Sequence, residues 1–235
     1  EAEAALGTIS SDEVALEGGN AIAYAYVSAG RLADAIALFE EVLADSARIL
    51  GAVHPSALTT RNNLAYAYMS VGRLADAIAL YEQTVADSVR VLGPDHPDTL
   101  VSRNNLAFIY ELVGRFDEAI TLRRQTLDDC VRTFGEEHAE TLASRSYLAR
   151  AFRAAGRLDE AIPLYEEVLA DRMRILGPDH PDTLTSRGSL AYTYRSAGRL
   201  ADAMALYEEV LADRMRILGA DHPDTLISRY NLAHA

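Results

Sequence analysis

The chain has 235 residues, 49% of them hydrophobic, and a formal net charge of −13. That balance excludes a general nucleic-acid binder, which needs a basic footprint. No apolar run reaches the roughly 18 residues of a membrane-spanning helix, so no membrane partner is expected. A lone cysteine, Cys130, excludes an intrachain disulfide framework and makes a reduced, cytoplasmic location the expectation. All 22 basic residues are arginine, so every cation is a planar, permanently charged fork suited to carboxylates.

Residues 1–13 read as a lead-in, with Ser10 and Glu13 spaced as a capping box for the first helix. Glycines then recur every 42 residues in two series, Gly30, Gly72, Gly114, Gly156, Gly198 and Gly51, Gly93, Gly135, Gly177, Gly219. Two glycines per period predict two helix ends per period. In the unit from Asp98, that aspartate precedes the apolar-periodic run and is expected to cap it. Leu100, Leu106, Ala107, Ile109, Tyr110 and Val113 follow at helical spacing, and Gly114 stops the helix. A second helix starts near Phe116, carries Ala119, Ile120, Leu122, Leu127 and Val131, and ends at Gly135.

The pattern predicts helical hairpins at about 14–51, 56–93, 98–135, 140–177 and 182–219, and a lone helix at 224–235. Together they form one domain, 14–235. Small residues recur where helices must approach closely: Ala23, Ala65, Ala107, Ala149, Ala191 and Ala233 in one column, Ala35, Ala77, Ala119, Ala161 and Ala203 in another. Tyr26, Tyr68, Tyr110, Phe152 and Tyr194 form an aromatic column between helices. No hairpin buries its apolar faces alone, but stacked neighbours do. The expected fold is therefore an all-α, right-handed superhelical solenoid of stacked antiparallel hairpins.

Small-small-aromatic spacing around a Gly-x-[Leu/Phe]-x-[Asp/Glu]-Ala turn resembles the tetratricopeptide repeat, whose usual period is about 34 residues. The combination NNLA…GR(L/F)xxAIxLYE…LGPDHPDTL is similar to the longer repeats of kinesin light chain and of many bacterial regulatory proteins. The resemblance covers 14–235. It implies no enzymatic activity and a surface for protein or peptide partners, with the first helix of each hairpin lining a concave groove.

Five linker histidines, His54, His96, His138, His180 and His222, invite a metal reading. Successive copies lie on the order of 10 Å apart, whereas zinc ligands converge to about 2 Å from one ion. No metal and no other cofactor is expected, and the rings instead serve backbone groups at helix ends. The pairs Glu40-Glu41, Glu166-Glu167 and Glu208-Glu209 read as a solvated acidic face. Asp45, Asp87, Asp129, Asp171 and Asp213 each precede an arginine by three residues, Arg48, Arg90, Arg132, Arg174 and Arg216, as in i,i+3 ion pairs. Arg61, Arg103, Arg145, Arg187 and Arg229 form a regular column, expected to pair between repeats. Phosphate-binding and nucleophile-elbow motifs are absent from the sequence.

By the resemblance, the groove positions are those just before each Leu-Ala pair and the ones three and six residues further on. In the first three units they hold Asn20, then Asn62, Asn63 and Tyr66, then Asn104, Asn105 and Phe108. Asparagine is disfavoured inside helices, so its recurrence needs a reason. The amides either meet an extended peptide backbone or bond between adjacent repeats, and the sequence leaves both open. Units four and five carry Tyr147, Arg150 and Arg153, then Tyr192 and Arg195. These arginines either clamp acidic side chains of a ligand or pair with acids of the neighbouring helix.

The partner expected is an extended, acidic peptide or protein segment. The alternative is a structural array, with 224–235 docking on the first hairpin of another copy to give end-to-end homo-oligomers. A sequence that stops inside a repeat is expected to be a piece of a longer array.

Overall fold

A computed structural model describes residues 10–234. They form eleven helices and, among the described residues, no strand: α1 Ser11–Ser28, α2 Leu32–Ile49, α3 Pro55–Ser70, α4 Leu74–Val91, α5 Pro97–Leu112, α6 Phe116–Phe134, α7 Ala139–Ala154, α8 Leu158–Leu176, α9 Pro181–Ser196, α10 Leu200–Leu218 and α11 Pro223–Ala233. One compact unit ends at Val113 and holds α1–α5, and a second begins at Gly114 and holds α6–α11. Within each unit consecutive helices pack on one another, as in solenoids of two-helix repeats. Ser10 accepts the Glu13 amide at 3.1 Å, so α1 starts inside the expected lead-in. The rest of that lead-in, 1–9, lies outside the described residues.

The Gly-Arg turn explains itself residue by residue. Gly72 sits at φ 79°, a left-handed conformation that favours glycine. The next residue, Arg73, donates its backbone N–H to Tyr68 O at 2.9 Å and closes the α3 end. Its guanidinium lies 3.9 Å from the Tyr68 ring centroid, and its Nε donates to Asp76 Oδ2 at 2.7 Å in the first turn of α4. Arg31 does the same with Tyr26 and Asp34. In the second unit, so do Arg157 with Phe152 and Glu160, and Arg199 with Tyr194 and Asp202.

The starts of the first helices correct the reading of Asp98 as a cap. The cap of α5 is His96, whose Nδ1 accepts the Asp98 N–H at 3.2 Å. Pro97 at the first helical position has no N–H to offer, so the nearest free donor is at Asp98, and the imidazole reaches it. His54, His138, His180 and His222 cap α3, α7, α9 and α11 in the same way.

The small columns are where the helices meet. Ala35, Ala77, Ala119, Ala161 and Ala203 are fully buried. In the first unit Ala23 and Ala35 pack with Phe39, Leu64 and Ala67. In the second, Ala149, Ala191 and Ala203 pack with Tyr165, Tyr194 and Tyr207. Ala233, at the end of its column, is exposed.

Two polar columns behave differently from expectation. Arg61 pairs with Asp87 at 2.7 Å, Arg145 with Asp171 at 3.1 Å and Arg187 with Asp213 at 2.8 Å, joining the two helices of one hairpin; Arg145 also pairs with Glu136 in the linker before α7. The reason is reach: the second helix of the same hairpin already presents the i,i+3 aspartate, which accepts from both arginines. Arg90 thus also bonds Asp87, at 2.8 Å. The acidic face is the second correction. Glu40 accepts from Tyr68 and Glu166 from Tyr194, both at 2.6 Å, so these acids are contacts between repeats as well as solvated groups.

Candidate functional site

The groove positions fall on the first helices, and their side chains divide by unit. In the first unit Asn20 Nδ2 donates to Thr60 Oγ1 at 2.7 Å and Asn62 Nδ2 to Ser102 Oγ at 2.6 Å. These two amides join α1 to α3 and α3 to α5, which is the stacking role. Asn104 lies in the same column on α5. Asn63 and Asn105, one residue further on, line a cavity of about 280 Å³ with Tyr24, Val27, Phe39, Asn62 and Tyr66. The rings of Tyr24, Tyr66 and Phe108 are exposed. Tyr24 was missed by the sequence reading. It stands 42 residues before Tyr66, and following that spacing back would have found it.

In the second unit, arginines and aromatic rings interleave. Arg123 on α6 and Arg150 on α7 lie 5.1 Å and 5.4 Å from the Tyr147 ring centroid. Arg153 and Arg195 lie 4.4 Å and 4.7 Å from the Tyr192 ring centroid. Among the described residues neither Arg153 nor Arg195 has an ion pair. Arg195 instead donates to the His234 carbonyl at 2.9 Å. Stacked on rings and spared a carboxylate, these guanidinium groups keep hydrogen-bond donors for an incoming group.

Arg123 was also missed. It is buried at 3% exposure in a column that otherwise holds Phe39, Tyr81, Tyr165 and Tyr207. A lone arginine in an aromatic column was the signal. Arg172 is the third omission. Its Nη1 donates to Ser186 Oγ at 2.7 Å and to Asp182 O at 3.2 Å, and burial lowers its pKa.

Tyr147, Arg150 and Arg172 line a cavity of about 500 Å³ with Ala139, Ala143, Ser146, Tyr165 and Ser189, and with Glu140 and Asp182. Among the described residues, no cluster of three or more His, Cys, Asp or Glu is placed to hold a metal ion, and no helix is long and apolar enough to cross a membrane. Cys130 is buried, its Sγ 3.3 Å from Ser144 Oγ.

A tetratricopeptide repeat model matches residues 14–86, 56–128, 100–173 and 146–216, so the chain belongs to the tetratricopeptide repeat family. The chain is similar to a solved structure described as a Podosopora anserina putative kinesin light chain with nearly identical TPR-like repeats. That match has 36% identity and a TM-score of 0.78, and covers 86% of this chain and 95% of that one. BtubC (BKLC) from P. vanneervenii shares the fold, with 22% identity and a TM-score of 0.71 over 92% of both chains. Among curated proteins, none matches the sequence. Repeats of this family are in general non-catalytic scaffolds for protein–protein interaction.

Proposed function

We propose that this chain binds an extended, acidic peptide or protein segment along its first-helix face. The observation that carries the reading is the placement of Arg153 and Arg195 over the exposed Tyr192 ring, two arginines without an ion pair among the described residues. A guanidinium held over a ring has already lost part of its side-chain entropy, so its remaining donors meet a carboxylate at reduced cost. In the first unit, taken by itself, the exposed rings and the amides of Asn63 and Asn105 suit a peptide backbone. The test is a peptide-display selection on the chain and on a variant with Arg150, Arg153 and Arg195 changed to Glu. Enrichment of acidic peptides on the unmodified chain alone supports the reading. The same sequences on both proteins, or none on either, would sink it.

A second reading, end-to-end association, rests on α11. Leu226 is 47% exposed, whereas Leu58, Leu100, Leu142 and Leu184 in the same column are buried. Ile227 and Tyr230 are exposed beside it. Another copy's helix would cover this apolar patch. Light scattering over a concentration series decides: growing mass supports the reading, and a constant monomer mass removes it.

A further inference from the structure

The serine or threonine hydroxyl that ties one first helix to the next keeps its place along the repeats, but its donor changes. Thr60 and Ser102 accept from the amides Asn20 and Asn62. The amide column continues in the second unit as Ser146 and Gly188. Neither reaches the next helix. Ser146 Oγ donates to Leu142 O at 2.9 Å in its own helix, and glycine has no side chain. Ser186 and Ser228 are served instead from the second helices, by Arg172 Nη1 at 2.7 Å and Arg214 Nη1 at 2.8 Å. At the positions of these two arginines, the earlier repeats hold the fully buried Ser46 and Ser88. An amide with a small partner has thus been exchanged for a small residue with an arginine.

The exchange makes space. Helix α3 packs directly on α1 and on α5, and α7 has no comparable packing on α9. The cavity of about 500 Å³ lies there, with Arg172 in its lining. Arg172 has no ion pair among the described residues, and it is half-buried. Burial disfavours its charge more than the nearby Asp182 carboxylate favours it, and an anion entering the cavity offsets that cost. The Tyr147 and Tyr165 side chains give the same cavity an aromatic wall. Glu140 and Asp182 also line it, so a second anionic group would be repelled.

We infer that this cavity is the anchoring pocket of the face, taking one anionic side chain of a partner, a carboxylate or a phosphate, with its head against Arg172 and Arg150 and its stem on Tyr147. The inference rests on the peptide-binding reading above and narrows it to a single specificity position, with Arg172 as the residue that sets it.

The experiment uses the full chain and short peptides randomised except at the centre, which is fixed as Glu, Gln, phosphotyrosine or Tyr. The key variant is S146N/R172S, which installs the residues of the second repeat, restores an amide donor for Ser186 and removes the charge. A second variant, Arg172→Gln, keeps a donor in place without the cation, in case the first fails to fold. Binding of Glu-centred or phosphotyrosine-centred peptides is expected to exceed that of their uncharged counterparts by about tenfold, as one charge-assisted contact would give. Both variants are expected to abolish that preference while keeping the helical content of the parent. A preference for Glu identifies the source as carboxylate, and one for phosphotyrosine alone as phosphate; either outcome upholds the inference. Equal binding of charged and uncharged centres, or a preference that survives in a folded variant, overturns it. If the chain binds neutral peptides and loses them on Tyr192→Ala, only the anion pocket falls. If no peptide binds above a scrambled control, the peptide-binding reading falls with it.

Discussion

Tyr68 on α3 donates its hydroxyl to Glu40 on α2 at 2.6 Å, and the same bond joins Tyr110 to Glu82 and Tyr194 to Glu166. The remaining copy carries Arg124 and Phe152, with the guanidinium 5.2 Å from the ring centroid. The two columns change together: a carboxylate wants a hydroxyl donor, and a guanidinium wants a bare ring face. Arg124→Glu alone leaves a carboxylate without its donor, and Phe152→Tyr alone gives the hydroxyl no acceptor. The double variant restores the pairing of the other repeats. Denaturant unfolding of the four proteins is expected to show a coupling of about 0.5–1.5 kcal/mol. Additive single changes would show that the columns are independent.

The same bond sets an alkaline limit. Burial, then the hydrogen bond to Glu166, raises the Tyr194 pKa from 10.0 to about 12. The folded state therefore holds its proton after the unfolded chain has released it, so this contribution is complete below pH 10.0 and lost as pH rises toward about 12. Tyr194→Phe is expected to flatten that part of the stability profile. An unchanged alkaline slope in the variant would assign it to other groups.

Much of the fold was legible because the repeat prints its constraints several times. Glycines at 42-residue spacing located the helix ends, and the alanine columns located the close approaches. Partners across helices were less legible. A column shows that a residue is needed but not what it touches, so Arg61 was read as a tie between repeats although it bonds Asp87 in its own hairpin. The candidate site was harder still. Asn20 and Asn62 fall in the amide column, yet their donors are spent on neighbouring helices, whereas Asn63 and Asn105 remain on the cavity wall. Arg172 is not legible from the groove pattern because it lies on a second helix, and its role depends on Ser146 and Ser186, which are distant in sequence from it.

The histidine caps give a stability test free of the binding question. Replacing His96 by Ala removes the acceptor for the Asp98 amide and is expected to cost about 0.5–2 kcal/mol. His96→Asn or His96→Ser, good caps themselves, should recover most of it. Equal loss in all three would mean that the imidazole acts through packing and not as a cap.

The alanine columns predict the opposite kind of damage. Ala161 is fully buried and packs with Ile120, Leu148, Ala151 and Phe152. Ala161→Leu adds volume where no space exists and is expected to cost about 1–3 kcal/mol in unfolding experiments. A neutral result would show that the hairpin opens to take the larger side chain.

Asp87 joins three lines of the structure, since it accepts from Arg90 at 2.8 Å and from the buried Arg61 at 2.7 Å. Arg61 also holds the Ala52 carbonyl at 2.7 Å, so the pair fixes the linker before α3 as well as the hairpin. Hydrogen bonds from Arg90 and then Arg61 hold the Asp87 pKa below its ordinary value of 3.8. The carboxylate is thus favoured in the folded state. Its contribution is complete above pH 3.8 and is lost as pH falls through the lower folded value. Asp87→Asn leaves Arg61 buried with an uncharged partner. The expected cost is about 2 kcal/mol, below the range for a fully buried pair because water reaches one side of the aspartate. The variant should also lose part of the acid-induced fall in stability. Asp45 is the internal control: the residue in the Arg61 column is there Gly19, and Asp45 bonds Arg48 on the surface. Asp45→Asn should therefore cost much less, and equal losses at the two sites would show that the buried arginine is not what makes Asp87 matter.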